Sequence, residues 1–143
     1  MSRNYTITEL LAMPDDDLNA LAAELRGWTI SYGQPWHNED DEFIRCDVYN
    51  DHEGAVMPVN EWSPYTNRNQ SYDLLTWAAD QTFEINRCTV IFEITIDSAP
   101  RTARGIHAWS SNGMDFEVPG NGARAETIAF CAAMLAMAGR LAQ

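Results

Sequence analysis

Lysine is absent from this 143-residue chain, and all of its positive charge rests on nine arginines set against 21 Asp and Glu, for a formal net charge of -12. Such a surface repels a phosphate backbone, and no local basic patch offsets it, which argues against direct nucleic-acid binding and against docking on an anionic membrane. Cysteine is scarce too. Cys46, Cys88 and Cys131 are an odd number, widely separated and without a C-x-x-C pair, so the thiols read as reduced. No apolar run approaches the ~20 residues that cross a bilayer, and Met1 to Tyr5 opens no apolar leader. The expectation is a cytoplasmic chain. Internal repeats and low-complexity linkers are also lacking, so residues 1–143 are expected to form a single domain.

What is present is enough apolar material for a core without a staple. The hydrophobic fraction is 45%, with five Trp, five Tyr and five Phe, which excludes wholesale disorder despite a mean hydropathy of -0.34. Thr6-Ile7-Thr8-Glu9 has the form of a capping box ahead of Leu10 and Leu11, and Pro14 ends the helix it begins. Asp15, Asp16 and Asp17 load the first turn of a second helix, where the dipole favours negative charge. Leu18, Leu21, Ala22 and Leu25 give that helix its buried stripe, and Gly27 stands where a left-handed residue would stop it. Trp28 to Tyr32 reads as a strand, and Phe43–Tyr49 with Ala55–Val59 as a hairpin around a turn at Asn50–Gly54.

Farther along, Ser71 is a plausible cap for a helix carrying Tyr72, Leu74, Leu75, Trp77, Ala78 and Ala79. Cys88–Ile96, dense in β-branched residues, predicts a central strand. Gly105–Trp109 and Met114–Val118 follow as two more, joined through Asn112-Gly113. Ala123–Leu141 reads as a long Ala- and Met-rich helix able to lie close on a sheet, with Gly139 on its packing face. The predicted class is α+β, an antiparallel sheet of about five strands covered by helices, with the long C-terminal helix on one face.

Three segments resemble the phage ABA sandwich domain family, small proteins encoded by phages and prophages. Leu10-Leu11-Ala12-Met13-Pro14 leading to Leu18–Glu24 and Gly27-Trp28 is similar to the family's opening helix. Ser63-Pro64-Tyr65-Thr66 before Tyr72-Asp73-Leu74-Leu75 is similar to its Tyr-Ser-Thr loop, with Asn67–Gln70 inserted. Ala125–Ala136 is similar to its closing helix, in which Ala and Cys positions recur. The resemblance implies a layered sheet-and-helix domain and a location in the host cell cytoplasm. It implies no particular chemistry.

No chemical motif is legible. His37, Cys46 and His52 lack zinc spacing, and Asp47, Asp51 and Glu53 lack the ligand pattern of an EF-hand loop, so neither metal nor cofactor is expected. Cys131 falls mid-helix among alanines, His107 reads as a sheet residue, and no Ser-His-Asp set or phosphate loop can be assembled. The expected activity is binding. Candidate partner-facing residues are Glu39, Asp40, Asp41, Glu42, Asp47, Asp51 and Glu53, with Trp36 and Trp62 as aromatic anchors. Their natural counterpart is a host protein with a basic surface, and a phage setting suggests a defence protein such as a CRISPR effector or restriction enzyme. A small-molecule binder or small enzyme with a pocket at the sheet edge, or a virion or assembly component, are the alternative classes. A monomer or weak homodimer is expected. A core that needs neither disulfide nor metal should show the same melting temperature with and without EDTA and dithiothreitol, and a large loss on adding EDTA would contradict this.

Overall fold

In the computed structural model the described residues are 4–86, 91–96, 103–110, 114–120 and 122–142. The capping box forms as the residues require: Glu9 N donates to Thr6 Oγ1 at 3.1 Å and Thr6 N donates to Glu9 Oε1 at 3.2 Å. Strand β1 (Tyr5–Thr6) thereby passes into helix α1 (Ile7–Ala12), and Pro14 separates this from helix α2 (Asp15–Leu25). All three aspartates lie in the first turn of α2, where the helix dipole favours them, and Asp15 also pairs with Arg124. Gly27 adopts φ +88°, with Gly27 N bonding Glu24 O and Trp28 N bonding Ala23 O, the paired bonds of a Schellman stop.

The chain then forms β2 (Thr29–His37), β3 (Phe43–Asp51) and β4 (Gly54–Pro58), followed by a 3₁₀ turn at Val59–Glu61. Helix α3 (Arg68–Asn86) leads to β5 (Ile91–Ile96), β6 (Ala103–Trp109), β7 (Asp115–Pro119), helix α4 (Gly122–Met137) and β8 (Leu141–Ala142). The chain is α+β, and its meanders are antiparallel. The single sheet of about five strands is not formed among the described residues, however: they give two separate three-stranded sheets, β2-β3-β4 and β5-β6-β7, and a short parallel pair of β1 with β8.

The cause lies in α4. From Ala125 through Ala133 every residue is buried, and nine consecutive residues at 100° steps point to all sides. A helix that is apolar all round must be surrounded, so it cannot lie on the outer face of a sheet with its back to water. It packs on β6 and β7 on one side and against α1, α2 and α3 on others. Small residues allow close approach, with Ala133 buried against Ala108 of β6, and Trp77 of α3 meets Phe130 at 6.0 Å between ring centres. Within that sheet β6 is the middle strand. The segment expected to be central, Cys88–Ile96, supplies β5, which among the described residues pairs only with β6. Gly105 permits the tight register of β6 with β7, because a Cβ there would stand 2.7 Å from Val118 O.

Two further expectations are corrected. Ser71 does not cap α3, which begins at Arg68; it is fully buried and donates to Glu126 Oε1 at 2.7 Å. The C-terminal helix ends at Met137 rather than Leu141, because Gly139 at φ +71° closes a second Schellman stop through Arg140 N on Leu135 O. Leu141–Ala142 then pairs with Tyr5–Thr6, tying the two ends of the described chain together. The Asn112-Gly113 turn lies outside the described residues, although the strands it joins are paired from Trp109↔Asp115 onward.

Glu126 is the one carboxylate on the buried run of α4, with 1% exposure. Arg68 Nη2 reaches its Oε2 at 2.5 Å while Ser71 holds Oε1, so α3 is keyed to α4 by a charged group that water does not reach. Arg124 keys the opposite side, pairing with Asp15 at 2.7 Å and donating to Leu11 O and Met13 O at 3.0 Å each. Removing Arg68 leaves a buried carboxylate uncompensated. Arg68→Ala should therefore cost about 3 kcal/mol and Glu126→Gln only about 1 kcal/mol, since the amide keeps an acceptor for Ser71. Urea midpoints measure both, and equal losses would show that the Glu126 carboxylate is solvated once its partner is gone.

Candidate functional site

Strands β2 and β3 pair from Thr29↔Asn50 to His37↔Phe43, with a bulge between Ser31 and Gln34. Only the base of this ribbon is covered, where Val48 and Tyr49 are buried; from Tyr32 outward most residues are exposed. The outer end is closed by Asn38–Glu42. Asn38 organises that loop, its Oδ1 accepting from Asp40 N at 3.0 Å and Glu42 N at 2.9 Å while its own N–H bonds Glu42 O. Asp41 takes φ 60°, a conformation Asp tolerates better than most residues.

Because the Asn38 side chain and the backbone hold the loop, its carboxylates are left over. Glu39, Asp40, Asp41 and Glu42 are all exposed, and among the described residues only the Asp41 carboxylate meets a side-chain partner, His37 Nδ1 at 3.4 Å. His37 also meets Phe43 edge-on at 5.6 Å, and Phe43 is 60% exposed. In the sequence, His37 stands out only as a metal candidate and Phe43 only as the start of a strand, and neither reads as partner-facing.

The remaining acidic candidates are elsewhere. From Phe43 to Asp51 there are eight strand steps, about 26 Å at ~3.3 Å per residue, so Asp51 and Glu53 lie at the opposite end of β3 from the tip. Asp51 Oδ1 accepts from Glu53 N at 2.8 Å and Gly54 N at 3.1 Å, which makes it the organiser of the β3–β4 turn. Glu53 pairs loosely with His52 at 3.5 Å. Asp47 stands mid-strand and accepts from Gly33 N at 3.0 Å, pinning the bulge in β2. The stretch from Glu39 to Glu53 is therefore two separate acidic ends and not one surface. The same length of strand keeps His37 apart from His52.

Trp36 is half-buried on β2 opposite Ile44. Trp62 is 5% exposed, its Nε1 donating to Asn19 O at 2.9 Å and its ring meeting Trp28 at 4.7 Å, so it belongs to the core and is not a surface anchor. Beside it a cleft of about 480 Å³ is bordered by Asn19, Ile30, Tyr49, Trp62 and Tyr65. Its best-placed polar group, Asn19, is already engaged: the backbone carbonyl takes Trp62 and Oδ1 takes Tyr65 N at 3.3 Å. Cys131 is fully buried and burial pushes its thiol far above the ordinary range, which removes it as a nucleophile. His107 stacks on Trp109 at 4.7 Å and meets Asp115 at 2.7 Å on the side of the sheet away from α4.

No helix among the described residues is long and apolar enough to cross a membrane. Compared with protein-family models, curated protein sequences and solved structures, the chain matches none.

Proposed function

We propose that this chain is an acidic protein-binding factor whose β2–β3 hairpin docks, tip first, into a basic site on another protein. The observation that carries the reading is the tip: four carboxylates stand in one five-residue turn, and the described residues use none of them beyond the long contact of Asp41 with His37. Charges that stabilise nothing inside the molecule remain available to a partner. Phe43 beside them adds an exposed ring within a charged rim, the arrangement in which a desolvated aromatic anchor contributes binding while charge steers approach.

Carboxylates at the end of a narrow two-stranded ribbon are able to enter a channel built for a phosphate backbone. With the resemblance to phage ABA sandwich domains as setting, the proposed partner is a host defence protein with such a channel, a CRISPR effector or a restriction enzyme, and the proposed effect is inhibition by occupancy in the host cytoplasm. Trp36 would support the ribbon from behind the tip rather than touch the partner. Asp47 and Asp51 have structural work of their own and Glu53 lies at the far end of β3, so all three drop out of the proposed surface.

The test is the triple substitution Asp40→Asn, Asp41→Asn and Glu42→Gln, with association rates to a partner captured by the native chain from host lysate measured at two salt concentrations. Raising salt from 0.1 M to 1 M shortens the Debye length from about 10 Å to about 3 Å, so binding by the native chain should weaken steeply. The triple variant should associate about tenfold more slowly at low salt and lose most of that salt dependence, while its stability stays within about 0.5 kcal/mol of the native chain. An unchanged association rate at low salt would reduce the tip to a solubility device.

A further inference from the structure

Arg26 differs from the other well-placed arginines. Arg68 is taken up by Glu126, and Arg124 by Asp15 and two carbonyls. The Arg26 side chain is only 18% exposed, yet its nearest acid is Asp73 at 3.7 Å, and the Asp73 side chain is itself 71% exposed. The guanidinium lies over Trp28 at 4.9 Å and over Trp77 at 5.4 Å, so two indoles contact it and one loose carboxylate answers it. Partial burial lowers its pKa, with Asp73 and Asp51 opposing that shift, and it stays charged at neutral pH.

This group opens onto a cleft of about 330 Å³ lined by Arg26, Gly27, Trp28, Asp51, His52 and Trp77. That volume is at the small end of ligand sites, the size for a metabolite rather than a peptide. Gly27 contributes backbone without a side chain, and a Cβ there would meet nothing within 4 Å. A largely buried guanidinium with donors beyond its contact to Asp73 takes a carboxylate. A bare anion is disfavoured, because Asp51 shares the lining, Asp73 stands beside the arginine and the whole chain carries -12. A ligand that brings its own positive charge satisfies both signs.

We infer that the Arg26 cleft binds a small zwitterion, a free α-amino acid with an apolar or aromatic side chain, its carboxylate on Arg26, its ammonium toward Asp51 and its side chain against the indoles. The site lies at the opposite end of β3 from the acidic tip, so it is independent of partner docking.

Calorimetric titration of the full chain with L-phenylalanine tests this, with acetate and inorganic phosphate as single-sign probes and tryptophan emission as a second readout. L-phenylalanine should bind saturably and shift the emission, while acetate and phosphate bind at least about tenfold more weakly. Arg26→Gln should weaken L-phenylalanine binding about tenfold or more. Because Arg26→Gln could also disturb folding, Asp51→Asn provides the second arm: its amide oxygen still accepts from Glu53 N and Gly54 N, so the turn is kept while the charge is lost. Asp51→Asn should cost L-phenylalanine about tenfold and leave acetate unchanged or tighter. The triple tip variant should bind L-phenylalanine as the native chain does. No saturable signal with L-phenylalanine up to about 10 mM, phosphate binding as tightly, or full affinity in Asp51→Asn would each overturn the assignment.

Discussion

A helix with apolar residues on every side cannot finish folding until every side is covered, and α4, polar between Ala125 and Ala133 only at Glu126 and Thr127, is such a helix. Its buried run from Ala125 to Ala133 draws β6 and β7 to one flank and α1, α2 and α3 to the others, so secondary structure from both ends of the chain converges on it. Alanines at 125, 129, 132 and 133 let these neighbours approach, and Phe130, Ile128 and Leu135 fill the space between them. Two polar keys give the assembly its orientation. Glu126 admits α3 only where Arg68 and Ser71 meet it, and Arg124 fixes the corner between α1 and α2.

That arrangement also explains why the second sheet projects. With α4 enclosed by helices and by β5-β6-β7, the β2-β3-β4 meander finds cover only at its base, through Val48, Tyr49 and the Trp28–Trp62 contact. Beyond the bulge at Ser31–Gln34 the ribbon has both faces largely in water, and local devices hold it: Asp47 on Gly33 N, Arg45 Nη1 on Gly33 O at 3.2 Å, and Asn38 inside the tip. The fold thus separates a packed body from an arm whose end is charged and unused. Pro35 and the bulge on its outer strand discourage edge-to-edge pairing, which fits an arm that works by its tip.

Local signals in the sequence translated well. Thr6 with Glu9, Pro14, the aspartate triplet and Gly27 each have a short-range physical cause, and each does what its neighbours dictate. The β3–β4 hairpin was legible because its turn and strands are contiguous. What was not legible depends on long-range packing. Nothing near Cys88–Ile96 tells an edge strand from a central one, and the apolar character of α4 was visible while its consequence, helices where more strands were expected, was not. Ser71 looks like a cap until Glu126, 55 residues away, claims its hydroxyl. Trp62 looks like a surface anchor until Asn19 takes its N–H. Of the candidate surface, the tip acids were readable as exposed, but only the strand length separates them from Asp51 and Glu53.

The division between enclosed helix and projecting arm is most directly tested by native-state hydrogen exchange resolved by segment. Amides of α4 between Ala125 and Ala133 should exchange only through global unfolding, with protection equal to the full unfolding free energy, whereas amides of Gln34–Ile44 should exchange through local opening at a much smaller free energy. Equal protection of the two segments would contradict the account, because it would make the hairpin part of the same cooperative unit as the helix it is said to stand apart from.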